Sequence, residues 1–155
     1  MRLLVTSDSH NSPAPLEKAL NENPNVDLLI HLGDGEKSLL CFKQQHPELE
    51  VVNVKGNCDK SIDSPLVQNI VIEGKKIFIT HGHLYGVKED IYNIFMAARE
   101  HNADIVLFGH THNAFQEWND GIYIMNPGCI DDTYGLIDIT PSGIVTTIMD
   151  NKINN

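Results

Sequence analysis

Five apolar runs, each closed by Gly or small polar residues, constrain what this 155-residue chain can fold into. Leu3-Leu4-Val5, Leu28-Leu29-Ile30, Val51-Val52, Ile77-Phe78-Ile79 and Ile105-Val106-Leu107-Phe108 read as buried strands. A short polar fragment follows each one: Asp8-Ser9-His10, Gly33-Asp34, Gly56-Asn57, His81-Gly82-His83 and Gly109-His110-Thr111-His112. Strand exits are the edge of an α/β sheet at which sites form, so side chains distant in sequence can meet there. What meets is carboxylate, imidazole and one amide, a donor set suited to metal ions.

Strands and helices alternate through the first two thirds of the chain, and strands dominate the rest. Ser12 before Pro13 predicts a helix start, with Leu16, Ala19 and Leu20 on one face and Asn23-Pro24 as the stop. A second helix is expected from about Glu36 to Gln45, and a third from near Glu89 to His101 with Ile91, Ile94, Phe95 and Ala98 on one side. Three strand pairs follow from their turn residues. Val67 to Ile72 pairs with Lys76 to Thr80, Phe115 to Trp118 with Ile122 to Met125 across Asn119-Asp120-Gly121, and Tyr134 to Ile139 with Ile144 to Met149. The polar tail Asn151 to Asn155 is expected to fray. The length suits one domain over residues 1–155.

Composition narrows the function classes. With 41% hydrophobic and 21% charged residues, and no apolar run near membrane-spanning length, the chain reads as globular and not membrane-embedded. Asp8 comes too early for a removable leader to precede it, which points to the cytoplasm. Cys41, Cys58 and Cys129 lack the spacings of a disulfide framework or zinc knuckle and read as reduced thiols. A net charge of -10 disfavours long nucleic acid as a partner, although bound divalent cations can invert the sign locally.

Within the fragments, Asp8-x-His10 and His110-x-His112 would put paired donors on one side of an extended strand exit, since alternate residues point the same way. Singly, each fragment is as well explained by a turn or a strand cap. Five of them at five strand exits are better explained by one shared site.

Taken in order, Asp8-Ser9-His10, Gly33-Asp34-Gly35, Gly56-Asn57-Cys58-Asp59, Thr80-His81-Gly82-His83 and Gly109-His110-Thr111-His112 resemble the motif set of the calcineurin-like metallophosphoesterases. The resemblance covers nearly the whole chain and is closest to the small, single-domain, YfcE-type phosphodiesterase branch, down to a segment similar to Asn126-Pro127-Gly128. It implies a four-layer α/β/β/α sandwich with two mixed β-sheets and two divalent metal ions at one sheet edge. Asp8, His10, Asp34 and His112 would hold one ion, and Asp34, Asn57, His81 and His110 the other. Asp34 suits the bridging position because a carboxylate can bind two cations while a neutral imidazole donates to one. Two carboxylates against two divalent ions leave about +2 at the site, enough to draw in a phosphate ester that the surface repels.

The implied reaction is hydrolysis of small phosphodiesters by a metal-bridging hydroxide, with Asp34, Asn57 and His81 as the catalytic core and manganese as the expected metal. Nickel, zinc and iron suit the same donors. Alternatives on the same fold are a non-catalytic scaffold, as in a relative that serves in membrane-coat assembly, and a nuclease or dinucleotide-polyphosphate hydrolase. A homo-oligomer is compatible with the chain.

One position departs from the family pattern. Many relatives carry His directly after the motif Asn, where this chain has Cys58, so proton donation to the leaving group is expected to be weak. Asp59 and His83 are neighbours by sequence only, and a structural hydrogen-bonding role is the expectation for each. Cys41 and Cys129 are expected to pack. Trp118 is expected to be half-buried, Leu84 and Tyr85 to line a substrate pocket, and His46 and His101 to complement helix dipoles.

Overall fold

Four of the five apolar runs become inner strands of two mixed β-sheets stacked face to face, while Val51-Val52, expected to be buried, lies on a half-buried edge strand. The computed structural model describes residues 1–60 and 63–152. In chain order its strands are β1 (Arg2–Thr6), β2 (Leu28–His31), β3 (Glu50–Asn53), β4 (Val67–Ile72), β5 (Lys75–Thr80), β6 (Ile105–Leu107), β7 (Phe115–Asn119), β8 (Ile122–Asn126), β9 (Thr133–Thr140) and β10 (Gly143–Asp150). Its helices are α1 (Ala14–Glu22), α2 (Glu36–Gln45) and α3 (Tyr92–Glu100). One sheet has the order β10-β9-β1-β2-β3 and the other β4-β5-β6-β8-β7. The strands before the motif loops run parallel, β1 with β2 and β2 with β3, β5 with β6, while β9, β10, β4 and β7 pair antiparallel.

Alternation along β1 shows how the layers divide. Leu3 and Val5 point between the sheets, where they meet Ile30, Ile79, Leu107 and Ile137. Leu4 points the other way, to Leu16 and Ala19 of α1 and Leu39 and Phe42 of α2. The second sheet repeats this, with Ile77 and Ile79 inward and Phe78 outward against Ile94 and Ala98 of α3. Both faces of each inner strand are buried, which is why the runs are continuously apolar. The layers are therefore helix, sheet, sheet, helix, as the family resemblance implies.

The departures have local causes. The third helix begins at Tyr92, because Glu89 and Asp90 close a separate turn with their N–H groups on the Gly86 carbonyl and the Asp90 carboxylate accepts the Tyr92 N–H at 2.9 Å. Trp118 is 63% exposed on the outermost strand of its sheet, not half-buried. Asn151 is fully buried, its amide donating to the carbonyls of Pro15 and Ile130, so the expected fraying does not reach it. Residues 153–155 lie outside the described residues. His101 caps α3 through a 2.8 Å bond to the Ala97 carbonyl, whereas His46, at the end of α2, sits 2.7 Å from Glu17.

Candidate metal centre

Strand registry delivers the motif loops to one edge. Thr6 pairs with His31 at the ends of β1 and β2, and the ladder continues past both strands through Leu32 N–H to Thr6, Asp8 N–H to Gly33 and His10 N–H to Asp34. Gly109 N–H bonds the His81 carbonyl in the same way across the second sheet. Two donor groups result. Ligand atoms of Asp8, His10 and His112 lie within 4.8 Å of one another, and so do those of Asp34, His81 and His110. Asn57 joins the second group, with its Oδ1 3.2 Å from His81 Nε2. All seven sequence-predicted ligands thus reach one edge of the sandwich.

Extended alternation is not what aims the paired donors. Asp8, His10, Asp34, His110 and His112 all have positive φ, from 45° to 68°. A left-handed backbone costs a non-glycine residue about 1 kcal/mol or more. Its concentration on five candidate donor positions is strain held by the surrounding ladder, and it curls each short fragment so that both of its side chains face the edge.

Hydrogen bonding around the second group leaves acceptors facing acceptors. His81 Nδ1 lies 2.7 Å from the Leu32 carbonyl, which can only accept, so Nδ1 carries the proton and Nε2 turns its other side to Asp34 Oδ2 at 3.3 Å and Asn57 Oδ1. Three lone-pair-bearing atoms converge unless a proton or cation sits among them. Burial alone would lower the His81 pKa, but Asp34 and Asp8 outweigh it and the net direction is up. Burial also pushes the Asp34 carboxyl up, but the His81 and Cys58 hydrogen bonds overcome it and hold the group below the usual carboxylate range. In the first group, Asp8 is fully buried and its Oδ1 accepts no hydrogen bond among the described residues, although His112 Nε2 is 3.1 Å away. An orphaned carboxylate oxygen and a facing set of nitrogen and oxygen donors fit divalent cations well.

Glycines set the close approaches. A Cβ on Gly56 would stand 2.0 Å from Asp34 Oδ1, and one on Gly109 the same distance from Ser7 Oγ.

Residues around the donors explain how the loops are held. The Asp59 carboxylate accepts four backbone N–H bonds of 2.8–3.0 Å, from Asp34, Gly35, Glu36 and Gly56. It ties the Asp34 loop to the Asn57 loop and caps the start of α2, which is the structural role expected of it. His83 differs from that expectation: its Nδ1 is buried without a partner among the described residues, and burial followed by the charge of His81 lowers its pKa. Cys58 donates its backbone N–H to Asp34 Oδ1 at 2.8 Å, and Asp34 pushes its thiol pKa up. Asn126, wholly buried, donates to the Gly109 carbonyl and Thr111 Oγ1, both at 2.9 Å, and so anchors the loop of His110 and His112.

Sequence reading missed one buried polar chain. His31 is 1% exposed, with Thr6 Oγ1 3.0 Å from Nδ1 and Ser9 Oγ 3.1 Å from Nε2, and Ser9 continues to Ser38, which donates to the Gly35 carbonyl. The signal available was a His ending an otherwise apolar strand beside Gly33-Asp34. Tyr85 packs edge-on against Phe78, and Leu84 is exposed. All three cysteines are free, and the Cys129 thiol donates to the Asp8 carbonyl at 3.3 Å. A cleft of about 300 Å³ opens beside the donors, lined by His10, Asp34 and Cys58 with Lys37 and Lys60 at its rim.

Comparisons with known proteins agree with this geometry. The family model of the calcineurin-like phosphoesterase superfamily domain matches residues 1–147. The chain is 39% identical over 132 residues to a probable metallophosphoesterase, YsnB, of Bacillus subtilis, covering 84% of this chain and 75% of that protein. It is 27% identical over 168 residues to the phosphodiesterase YfcE of Escherichia coli, covering 89% and 88%. It is also 32% identical over 133 residues to the vacuolar protein sorting-associated protein 29 of Schizosaccharomyces pombe, covering 83% and 71%. Among solved structures, a predicted phosphoesterase from Streptococcus pneumoniae superposes with a TM-score of 0.82 at 26% identity, covering 97% of this chain and 89% of that one.

Proposed function

The chain belongs to the calcineurin-like phosphoesterase superfamily, and from that membership we propose that it hydrolyses small phosphodiesters at the paired donor groups. The observation that carries this reading is the convergence of His81 Nε2, Asp34 Oδ2 and Asn57 Oδ1 on one point beside an orphaned Asp8 Oδ1. Asp8, His10, Asp34 and His112 would hold one divalent ion and Asp34, Asn57, His81 and His110 the other, with Asp34 shared. Such ions supply positive charge for a phosphate ester and lower the pKa of water at neutral pH.

The protein's own groups do the rest. Leu32 fixes the tautomer of His81, so that Nε2 is available as a donor. Asp59 holds the two loops in register, which assigns it a positioning role. Lys37 and Lys60 add positive charge to a cleft in an otherwise acidic protein. Neither Cys58, whose thiol pKa is raised, nor His83, whose pKa is lowered, is poised to protonate a leaving group at neutral pH.

The reading favours diesters because YfcE carries that activity in its name, and it treats manganese as the best activator and the cytoplasm as the setting. No described helix is long and apolar enough to cross a membrane. Likeness to a vacuolar sorting protein raises a scaffold as the second reading. The full set of seven donors argues for hydrolysis.

The test is a phosphoester panel run on chelated protein reloaded in turn with manganese, nickel, zinc and iron. Small diesters should exceed monoesters and DNA, and Asp34→Asn should abolish turnover while the far-ultraviolet circular dichroism is unchanged. Full activity in Asp34→Asn refutes the shared-ligand assignment. No turnover with any metal favours the scaffold.

A further inference from the structure

A second cavity, of about 520 Å³, lies beyond His110 and has no part in the donor groups. Its walls are Val87, Ile91, Phe108 and Phe115, with Lys88 and Asn113 at the mouth. Thr111, between His110 and His112 in the chain, also lines it, so the cavity borders the loop that carries those two ligands. Phe108 and Val87 are buried and Phe115 and Ile91 half-buried, which leaves an open pocket floored by hydrocarbon. Pockets of this size with an apolar floor and a few polar groups suit one small organic group.

The mouth says how that group is attached. Lys88 is exposed, makes no hydrogen bond or ion pair among the described residues, and lines the same cavity as Thr111, the residue between His110 and His112. An unpaired ammonium at a cavity that borders the His110–His112 loop matches an anionic phosphoester held at the donors. The Thr111 hydroxyl is already engaged by Asn126 and the Asn113 backbone, whereas the Asn113 side-chain amide has no partner among the described residues. It can read a polar edge. Two Phe side chains among four apolar walls favour a ring, which offers a face for stacking or edge contact, over a flexible alkyl chain.

We propose that this cavity is the subsite for a planar aromatic group carried on the substrate phosphoester, with Lys88 pairing to the phosphate and Asn113 reading the ring's edge. The assignment rests on the phosphoesterase reading above and adds the class of ester arm. A nucleobase and a simple aryl ring share this chemistry, and Asn113 separates them, since only the former offers a hydrogen-bonding edge.

Calorimetry on the manganese-loaded protein tests the subsite without turnover, with methylphosphonate, n-hexylphosphonate and phenylphosphonate as probes. Phenylphosphonate should bind at least about tenfold more tightly than methylphosphonate, about 1.4 kcal/mol, and more tightly than n-hexylphosphonate. Phe115→Ala and Ile91→Ser, each checked by thermal melting, should bring the phenyl-to-methyl ratio toward one, and Lys88→Ala should weaken all three probes alike. Equal binding of the three probes, hexyl binding as tight as phenyl, or an unchanged ratio in both wall variants overturns the proposal. Failure to hydrolyse any diester would instead count against the phosphoesterase reading. Thymidine 5′-phosphate binding more tightly than phenylphosphonate, with the advantage lost in Asn113→Ala, supports a nucleobase; no advantage supports the simple ring.

Discussion

Replacing Asp59 tests whether the donor loops are held by one carboxylate. Its two oxygens accept four N–H bonds, two at the start of α2 from Gly35 and Glu36, and two from Asp34 and Gly56, which are buried. Losing a helix cap costs about 1 kcal/mol. Stranding a buried N–H costs about 1–3 kcal/mol, and water from the adjacent cleft should bring each of the two toward the lower figure. Asp59→Ala should therefore destabilise the metal-free protein by about 3 kcal/mol. Asp59→Asn keeps one accepting oxygen and turns an NH₂ toward two donors, so it should lose roughly 2 kcal/mol.

Because the freed loops carry Asp34 and Asn57, manganese affinity should fall about 10–100-fold, the usual effect of removing a group that orients ligands. Urea unfolding of the metal-free variants measures the first quantity and calorimetric titration the second. Excess manganese should restore most of the activity of Asp59→Asn. Stability within about 0.5 kcal/mol of the parent, close to the scatter of surface substitutions, with unchanged manganese affinity would refute the cradle. A loss of turnover that excess metal does not rescue would mean that Asp59 acts in the chemistry itself.

Three further outcomes follow from the site. With no imidazole after Asn57, rates on a series of aryl diesters should fall steeply as leaving-group pKa rises, and a flat series would reveal a proton donor in the cleft. Burial lowers the His31 pKa from 6.5 to about 4 despite the opposing charge of Asp59. The unfolded chain then binds a proton that the folded chain refuses. The neutral form's full stabilisation is present above pH 6.5 and is lost as pH falls through 4, at about 1.4 kcal/mol per unit and roughly 3 kcal/mol in all. Urea unfolding of His31→Gln should show a shallower slope over that window, and an unchanged slope would assign the effect elsewhere. Gly56→Ala drives a methyl group against Asp34 Oδ1 and should cost at least tenfold in manganese affinity by calorimetry, and unchanged affinity would mean that the loop yields without disturbing Asp34.

The buried inner strands were legible because both of their faces are covered, and Leu3-Leu4-Val5 can be little else once Leu4 has helices to meet, whereas the stacking of two sheets was implied only by the family resemblance. Asp8, Asp34, His81 and His110 were legible as candidates because polar residues directly after such strands have few packing roles. Trp118 and Asn151 were misjudged for the opposite reason. Their burial depends on whether another element covers them, and nothing near them in sequence records that.

Sequence alone determined the strand exits, the donor types and the α/β class, since each follows from short-range pattern and composition, while the two-sheet frame was implied only by the family resemblance. Only the tertiary structure decided how the donors are aimed. Asp8 and His10 converge through left-handed backbone, not strand alternation, and that conformation persists only where hydrogen bonds from a neighbouring loop outweigh its cost. The Leu32 carbonyl behind His81, the Asp59 cradle, the His31 chain and the cavity beside Lys88 likewise join residues far apart in the chain. Contacts of that kind are set by sheet registry and packing, which local sequence does not encode.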